Sequence, residues 1–355
     1  MYYTNKTIEN LVRVFDQNER KGYLRLDLNE NPGGLPKSFI EDTLKEVTPE
    51  FLSQYPETKH FSEILAEFLG TDIEHLCLVN GSAEGIRYII QAFTSENGRI
   101  VGVVPSYFMF QIYSEMYGRD FVKVPYEDDL SMKIENIISE LTEETELLIL
   151  LNPNNPMGNV YSDEEFEKIM CVCREKKITV LVDEAYHYFY PKTFMKYALN
   201  EHRVLITRTF SKLFSMAGCR LGYVVGHPED IKLVQKLCTP HNTNAFAMLF
   251  AERILKHPSV IKELVTKFEK GRKYLISALD NNGYRYKGEA GNFLFIEPKG
   301  DAKEVVVRMK EEKRILIKSY DNVGEFGTCL RVSIGEIQYM EQFVNALLEI
   351  EGQDK

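Results

Sequence analysis

Between about residues 75 and 230, short apolar runs alternate with amphipathic segments, and nothing else in the 355-residue chain limits its fold as strongly. Candidate strands are His75–Val79, Ile100–Val104, Leu147–Leu151, Thr179–Val182, Val204–Thr207 and Gly222–Val225. Helical patterns such as Ala83–Thr94 and Asp163–Lys176 fall between them. The strands read as nearly continuous apolar runs, without the polar alternation of a half-exposed sheet. That predicts an α/β fold with a mostly parallel, doubly wound sheet covered by helices on both faces.

The last third has a different texture. A long helical pattern runs from about Ala245 to Asn281. After it come an apolar run at Asn292–Ile296, a helix at Ala302–Glu312, runs at Leu316–Lys318 and Leu330–Ile334, and a final helix near Ile337–Glu349. This predicts a smaller α+β C-terminal domain. The expected division is a segment over 1–34 that packs back on the small domain, a large domain over 35–244, and the small domain over 245–355.

Charge narrows the function classes. Lys and Arg total 43 and Asp and Glu total 53, so the net charge is 43 − 53 = −10. A chain this acidic is not built to neutralise nucleic-acid phosphates or to lie on anionic lipid, although it can hold a local basic pocket. The run Leu147-Leu148-Ile149-Leu150-Leu151 is far shorter than the roughly 18 residues that span a bilayer. Met1 to Lys6 is not an apolar signal segment, so a cytoplasmic enzyme is expected. The cysteines at 77, 171, 173, 219, 238 and 329 are scattered through a long chain and are expected to be ordinary reduced thiols. Cys171-Val172-Cys173 lacks metal-site spacing, and no metal is expected.

In open α/β sheets ligands bind beyond the carboxyl ends of the strands, so the residues that follow each strand carry the functional signal. After the first strand, Asn80-Gly81-Ser82-Ala83-Glu84-Gly85 opens a helix whose N–H groups can face an anion. The same residues also fit a plain Ser N-cap. Neither a dinucleotide fingerprint nor a nucleotide-triphosphate loop is present. A rigid polar turn, Asn152 to Gly158, follows the strand ending at Leu151. Asp183 leaves the end of an apolar strand, where no local structural need explains a carboxylate. Thr209, Ser211 and Lys212 follow the next strand, with Arg220 shortly after. A lysine so placed suits covalent attachment to a carbonyl, although a lone loop lysine is more often just a surface group.

Together these elements supply what pyridoxal 5′-phosphate requires. In them the chain resembles fold-type-I pyridoxal-phosphate aminotransferases, in particular the histidinol-phosphate aminotransferase group. The resemblance runs through Asn29-Glu30-Asn31-Pro32, Gln54-Tyr55-Pro56, Asn80 to Glu84, Pro105-Ser106-Tyr107, Asn152 to Gly158, Asp183 to Tyr186, Ser211-Lys212, Arg220 and Leu330 to Gly335. It implies that Lys212 anchors the cofactor and shuttles the substrate proton, and that Asp183 keeps the pyridine nitrogen protonated. It places Asn155 and Tyr186 on the ring hydroxyl and Tyr107 on the ring face. The cofactor phosphate falls to Ser82, Ala83, Thr209, Ser211 and Arg220. Tyr55 is expected to reach the phosphate of a neighbouring chain, which implies a homodimer with shared active sites. Arg331 is expected to grip the substrate's acidic group, Lys318 to assist it, and Asn31 to lie in the segment covering the substrate.

The chain also departs from the group's pattern. Ala83 stands where an Asp is usual, and Met157 where a Thr is usual. Phe15, in Val14-Phe15-Asp16-Gln17, stands where a Tyr is usual, and Lys318 where an Arg is usual. The changes at Phe15 and Lys318 weaken the expected grip on a phosphate ester. The reading is therefore a transaminase acting on an amine or amino acid with an anionic group and on a 2-oxo acid, histidinol phosphate being one candidate donor and a phospho- or phosphono-amino acid another. The alternatives are a decarboxylase of O-phosphothreonine type on the same scaffold and a non-enzymatic cofactor-binding regulator.

Overall fold

The computed structural model describes residues 2–12, 19–288 and 290–352. Phe15 lies outside the described residues. The main sheet has seven strands: β1 (Leu76–Val79), β2 (Arg99–Val104), β3 (Asp120–Pro125), β4 (Thr145–Leu151), β5 (Thr179–Asp183), β6 (Val204–Thr209) and β7 (Gly222–Gly226). Their spatial order is β1-β7-β6-β5-β4-β2-β3. All neighbours are parallel except β7, which runs antiparallel to both β1 and β6.

Apolar residues cover both faces of this sheet. Val101, Leu148, Leu150, Val180, Val182 and Ile206 pack into a core on one side, under Phe61, Phe166, Phe194 and Phe210. Ile100, Leu147, Ile149, Leu181, Leu205 and Val224 pack on the other, under Ile86, Ile89 and Ile90 of helix α1 (Ser82–Phe93). The apolar runs of β4, β5 and the first half of β6 reflect this two-sided burial.

Strand β3 has no counterpart among the sequence-derived strands. It is an edge strand with β2 as its single neighbour. Asp120, Lys123 and Pro125 are exposed, so it carries no unbroken apolar run.

The long helical pattern from Ala245 divides in two, Ala245–Lys256 and Pro258–Asn281. Proline at 258 disfavours helical geometry at His257, and the chain turns there. The first helix buries Ala247, Met248, Ala251, Ile254 and Leu255 in the core of the main sheet. Leu275 and Leu279 of the second pack with the C-terminal elements instead.

Those elements form a four-stranded antiparallel sheet from β8 (Tyr286–Lys287), β9 (Phe293–Ile296), β10 (Lys318–Tyr320) and β11 (Cys329–Ser333), in the order β10-β11-β9-β8. Near the N-terminus, Leu24–Arg25 pairs in parallel with Ile315–Leu316, and Leu26 is fully buried in the same cluster as Leu330, Val332 and Phe343. This pairing fixes the start of the Leu28–Pro32 segment and brings it over the carboxyl edge of the main sheet.

Candidate active site

The register of the main sheet sets out the site. Leu151 pairs with Asp183 and Asp183 with Thr207, while Thr209 and Val79 both pair with Gly222. The carboxyl ends of β1, β4, β5 and β6 therefore open at one edge. A cavity of about 420 Å³ lies there. It is lined by Ser82, Ala83, Tyr107, Asn155, Asp183, Tyr186, Thr209, Ser211, Lys212, Arg220, Lys318 and Arg331, together with Leu28, Asn29, Glu30 and Tyr320.

At one end are the anion donors. Helix α1 is capped by Gly81, at φ +82°, and no side chain caps its first turn. Ser82 is the first helical residue rather than the cap; the Glu84 N–H donates to Gly81 O at 3.0 Å, and the Ser82 and Ala83 N–H groups are left for an external acceptor. A Cβ on Gly222 would lie 2.5 Å from the Ser82 nitrogen, so only glycine lets β7 pass this close beneath the turn. The Thr209 and Ser211 hydroxyls are 2.9 Å apart. Arg220 Nη1 lies 3.4 Å from Ser211 Oγ and donates to Ala217 O at 3.0 Å. Arg220 itself holds a left-handed backbone, φ +55°, an unusual state for a non-glycine residue that aims its guanidinium back along Gly81.

Asp183 is buried in the middle of the cavity. Its Oδ1 accepts from Thr207 Oγ1 at 2.9 Å. Burial pushes its carboxyl up to about 7, opposed by the Thr207 hydroxyl, the Ala185 N–H and the Lys212 ammonium. Lys212 Nζ donates to Leu28 O at 3.0 Å and sits 5.8 Å from the centre of the Tyr186 ring. Burial, with Arg331 adding like charge, lowers its ammonium to about 8. The two groups thus approach one another in proton affinity from opposite directions.

The Tyr186 hydroxyl accepts from Asn29 Nδ2 at 2.9 Å, which leaves its own proton directed elsewhere. Asn29 is in turn fixed by Ser333, whose Oγ accepts from its backbone N–H at 2.9 Å, and by Asn292, whose Nδ2 donates to its carbonyl at 3.0 Å. Asn29 is not one of the site residues expected from sequence, although it opens the Asn29-Glu30-Asn31-Pro32 motif. Asn155 Oδ1 accepts from Arg331 Nη1 at 2.9 Å, so its amide N–H is the group left to donate into the cavity. Arg331 is 3 % exposed; Nη2 donates to Asp27 O, and Nε is buried with no hydrogen-bond partner among the described residues. Lys318 sits directly opposite Arg331 across β10 and β11.

Two sequence-derived candidates fall outside this cavity. Asn31 donates to Ser215 Oγ at 2.7 Å and accepts from the Gly33 N–H at 3.1 Å, lining a neighbouring polar recess instead. The left-handed turn at Asn29 puts Leu28, Asn29 and Glu30, not Asn31, over the cavity. Tyr55 is 79 % exposed and stacks on His241 with ring centres 4.5 Å apart. Of the departures from the family pattern, Ala83 lines the cavity, while Met157 is buried against Leu130, Phe295, Val323 and Cys329.

The family model for aminotransferases of class I and II matches residues 21–347. The chain belongs to that family. Among the relatives of this aminotransferase is the histidinol-phosphate aminotransferase of Caldanaerobacter subterraneus subsp. tengcongensis, 29 % identical across 97 % of this chain and 99 % of the relative. That of Pyrococcus furiosus is 29 % identical across 91 % of each. The crystal structure of the histidinol-phosphate aminotransferase from Clostridium acetobutylicum superposes with a TM-score of 0.82 at 27 % identity, covering 93 % of this chain and 99 % of that one. The Sinorhizobium meliloti structure, in complex with pyridoxal-5′-phosphate, shares the fold with a TM-score of 0.89 at 22 % identity, covering 100 % and 99 %.

The aminotransferase uses pyridoxal 5′-phosphate, and the cavity fits it: an anion cradle with an uncapped helix start and an arginine at one end, a buried carboxyl, and an amine of lowered basicity. Amino and oxo acids are the substrates its family implies. Among the described residues, no helix is long and apolar enough to cross a membrane.

Proposed function

We propose that this aminotransferase takes its amino group from a small primary amine bearing a second, anionic group, docks that anion between Arg331 and Lys318, and passes the amino group to a 2-oxo acid. The observation that carries this reading is Arg331: a buried guanidinium in the cavity wall, held through one hydrogen of Nη1 and one of Nη2, whose Nε has no partner among the described residues, with a second cation opposite it. An unmet buried donor of this kind favours an anionic ligand.

In this reading Ser82, Ala83, Thr209, Ser211 and Arg220 hold the cofactor phosphate. Tyr107 lies on the ring face, and Asn155 and Tyr186 donate to the ring hydroxyl. When bound, the cofactor supplies a carbonyl for the incoming amine and an electron-accepting ring. Lys212 Nζ anchors it, takes the proton from the substrate Cα and returns one to complete the transfer. An amine titrating near 8 suits both tasks at neutral pH. Asp183 holds positive charge at the pyridine nitrogen; a full cation there would repay the burial that otherwise keeps this carboxyl protonated. Leu28 O steadies the amine, and the Asn29–Tyr186 pair orients the phenol.

The working unit in this reading is a homodimer, with Tyr55 reaching a neighbour's phosphate site; its high exposure at a surface recess supports such a role. The relatives' name makes histidinol phosphate the first donor to test. Lys318 gives charge without the bidentate fork of arginine, which favours a different anionic amine as the best donor. The test is a comparison of kcat/KM across histidinol phosphate, glutamate, aromatic amino acids and small phospho- or phosphono-amino acids. Equal rates for anionic and neutral amines would remove the Arg331 anchor from the mechanism.

A further inference from the structure

The six cysteines that look scattered in sequence include one spatial pair. Cys77 Sγ and Cys238 Sγ are 3.5 Å apart although 161 residues separate them in the chain. Cys77 is buried in β1, between Leu76 and Leu78, paired through the backbone with Val224. Cys238 is half-buried in the turn after helix α2 (Pro228–Gln235), beside exposed Thr239 and Pro240. One sulfur is thus held in the buried sheet, while the other belongs to a half-buried residue next to exposed chain. Bond formation requires the two sulfurs to close from 3.5 Å to about 2.05 Å.

We propose that Cys77 and Cys238 form a reversible dithiol–disulfide site, closed by a peroxide and reopened by a thiol reductant. Cys238 is the less buried of the two, and its contact with Cys77 lowers its proton affinity, which makes Cys238 the attacking group. Its thiolate attacks a peroxide oxygen: the S–O bond forms, the O–O bond breaks, and the departing hydroxide takes a proton to leave as water. Cys77 then attacks the Cys238 sulfur: the S–S bond forms, the S–O bond breaks, and a second water leaves. Each sulfur loses one electron, and the peroxide gains two.

The link would join two functional segments. Three residues beyond Cys77 begins the Asn80–Ala83 turn at the mouth of the anion cradle. From Cys238 the chain runs through His241, stacked on Tyr55, and through Asn242, whose Nδ2 donates to Leu78 O at 2.9 Å.

The test treats the cofactor-loaded protein with millimolar hydrogen peroxide, alkylates the remaining thiols, and maps the peptides by mass spectrometry. The expected product is one intrachain peptide pair joining Cys77 to Cys238, removed by treatment with dithiothreitol, with free thiols falling by two from the six of the reduced chain. Cys238→Ser should abolish the pair while the variant keeps its cofactor absorbance. In protein unfolded before oxidation, pairing should spread over several cysteines, because only the folded chain brings these two together. Recovery of both Cys77 and Cys238 as alkylated thiols while the exposed Cys171 is oxidised would overturn the proposal. So would a link between two chains in place of one within a chain.

Discussion

Thr207 donates its hydroxyl hydrogen to Asp183 Oδ1 over 2.9 Å, from the adjacent parallel strand at the open edge of the sheet. The pairing of Asp183 with Thr207 puts both side chains on one face of the sheet, with the buried hydroxyl aimed at the carboxylate. Asp183→Asn removes the charge and keeps the shape. Loss of a preorganised charge partner of this kind typically amounts to about 3 kcal/mol, or on the order of 10²-fold in kcat/KM. The variant should remain folded and should keep its cofactor through the phosphate contacts. Wild-type turnover in Asp183→Asn would show that this carboxylate does not serve the ring nitrogen.

The same residue should make the stability of the cofactor-free protein pH-dependent. Its carboxyl titrates at about 7 in the fold, against an ordinary value of 3.8. The native state therefore holds a proton that the unfolded chain has already released, and stability falls as pH rises between those two values. Asp183→Asn lacks this dependence. The melting temperature of cofactor-free wild type, relative to the variant, should drop between pH 4 and pH 8. Parallel curves for the two proteins would mean that the Asp183 carboxyl is charged throughout.

Lys212→Ala should abolish turnover and leave a folded protein that still binds cofactor, since the cradle of Ser82, Thr209, Ser211 and Arg220 is untouched. In the wild type, borohydride should attach the cofactor irreversibly to one lysine. Peptide mapping should place it on Lys212, the lysine that lies in the cavity wall with Nζ near Tyr186. A label on any other lysine would dismantle the site as described.

Much of this architecture was legible because its cause is local. Two-sided burial makes β4, β5 and the first half of β6 apolar runs, and Asp183, Thr209 and Lys212 stand out beyond them. What escaped has non-local causes. Strand β3 is polar because it lies at an edge, and only its partner β2 makes it a strand. Asn29 matters through Ser333 and Asn292, which are brought to it by the pairing of Leu24–Arg25 with Ile315–Leu316. The backbone reversal at Asn29 decides that it, and not Asn31, faces the cavity. The approach of Cys77 and Cys238 depends on β7 and α2 carrying the chain back beside β1, which no spacing rule reveals.

Tyr55→Phe should weaken cofactor retention through the partner chain. Tyr55 stacks on His241 at the surface and lies outside its own chain's cavity. Mixed dimers of Tyr55→Phe and Lys212→Ala chains separate the two arrangements. If Tyr55 acts across the interface, the site that keeps Lys212 receives an intact Tyr55 from the other chain, and its cofactor affinity returns to the wild-type value. Hybrids that match the Tyr55→Phe parent would place the contact within one chain.

The last prediction concerns the anion site, where charge and geometry pull the choice of donor in different directions. Lys318 and Arg331 are directly paired across β10 and β11, and Tyr320 lies beside them with its ring 5.4 Å from the Arg331 guanidinium. Arg331 has committed one hydrogen of Nη1 to Asn155 and one of Nη2 to the Asp27 carbonyl, which fixes the guanidinium and leaves its other N–H groups, Nε among them, for a ligand. A dianionic phosphate ester asks for several donors, and one carboxylate for fewer. Forgoing one charge-assisted hydrogen bond typically costs about 1.5–3 kcal/mol, or roughly 10- to 150-fold. With Lys318 as a point charge, a smaller anionic amine should therefore exceed histidinol phosphate in kcat/KM. Arg331→Ala should raise KM steeply for whichever donor leads, and Lys318→Ala should raise it less. A hundredfold preference for histidinol phosphate over every other donor would show that Lys318 serves the phosphate as well as an arginine does. An unchanged KM in Arg331→Ala would move the anion to another wall of the cavity.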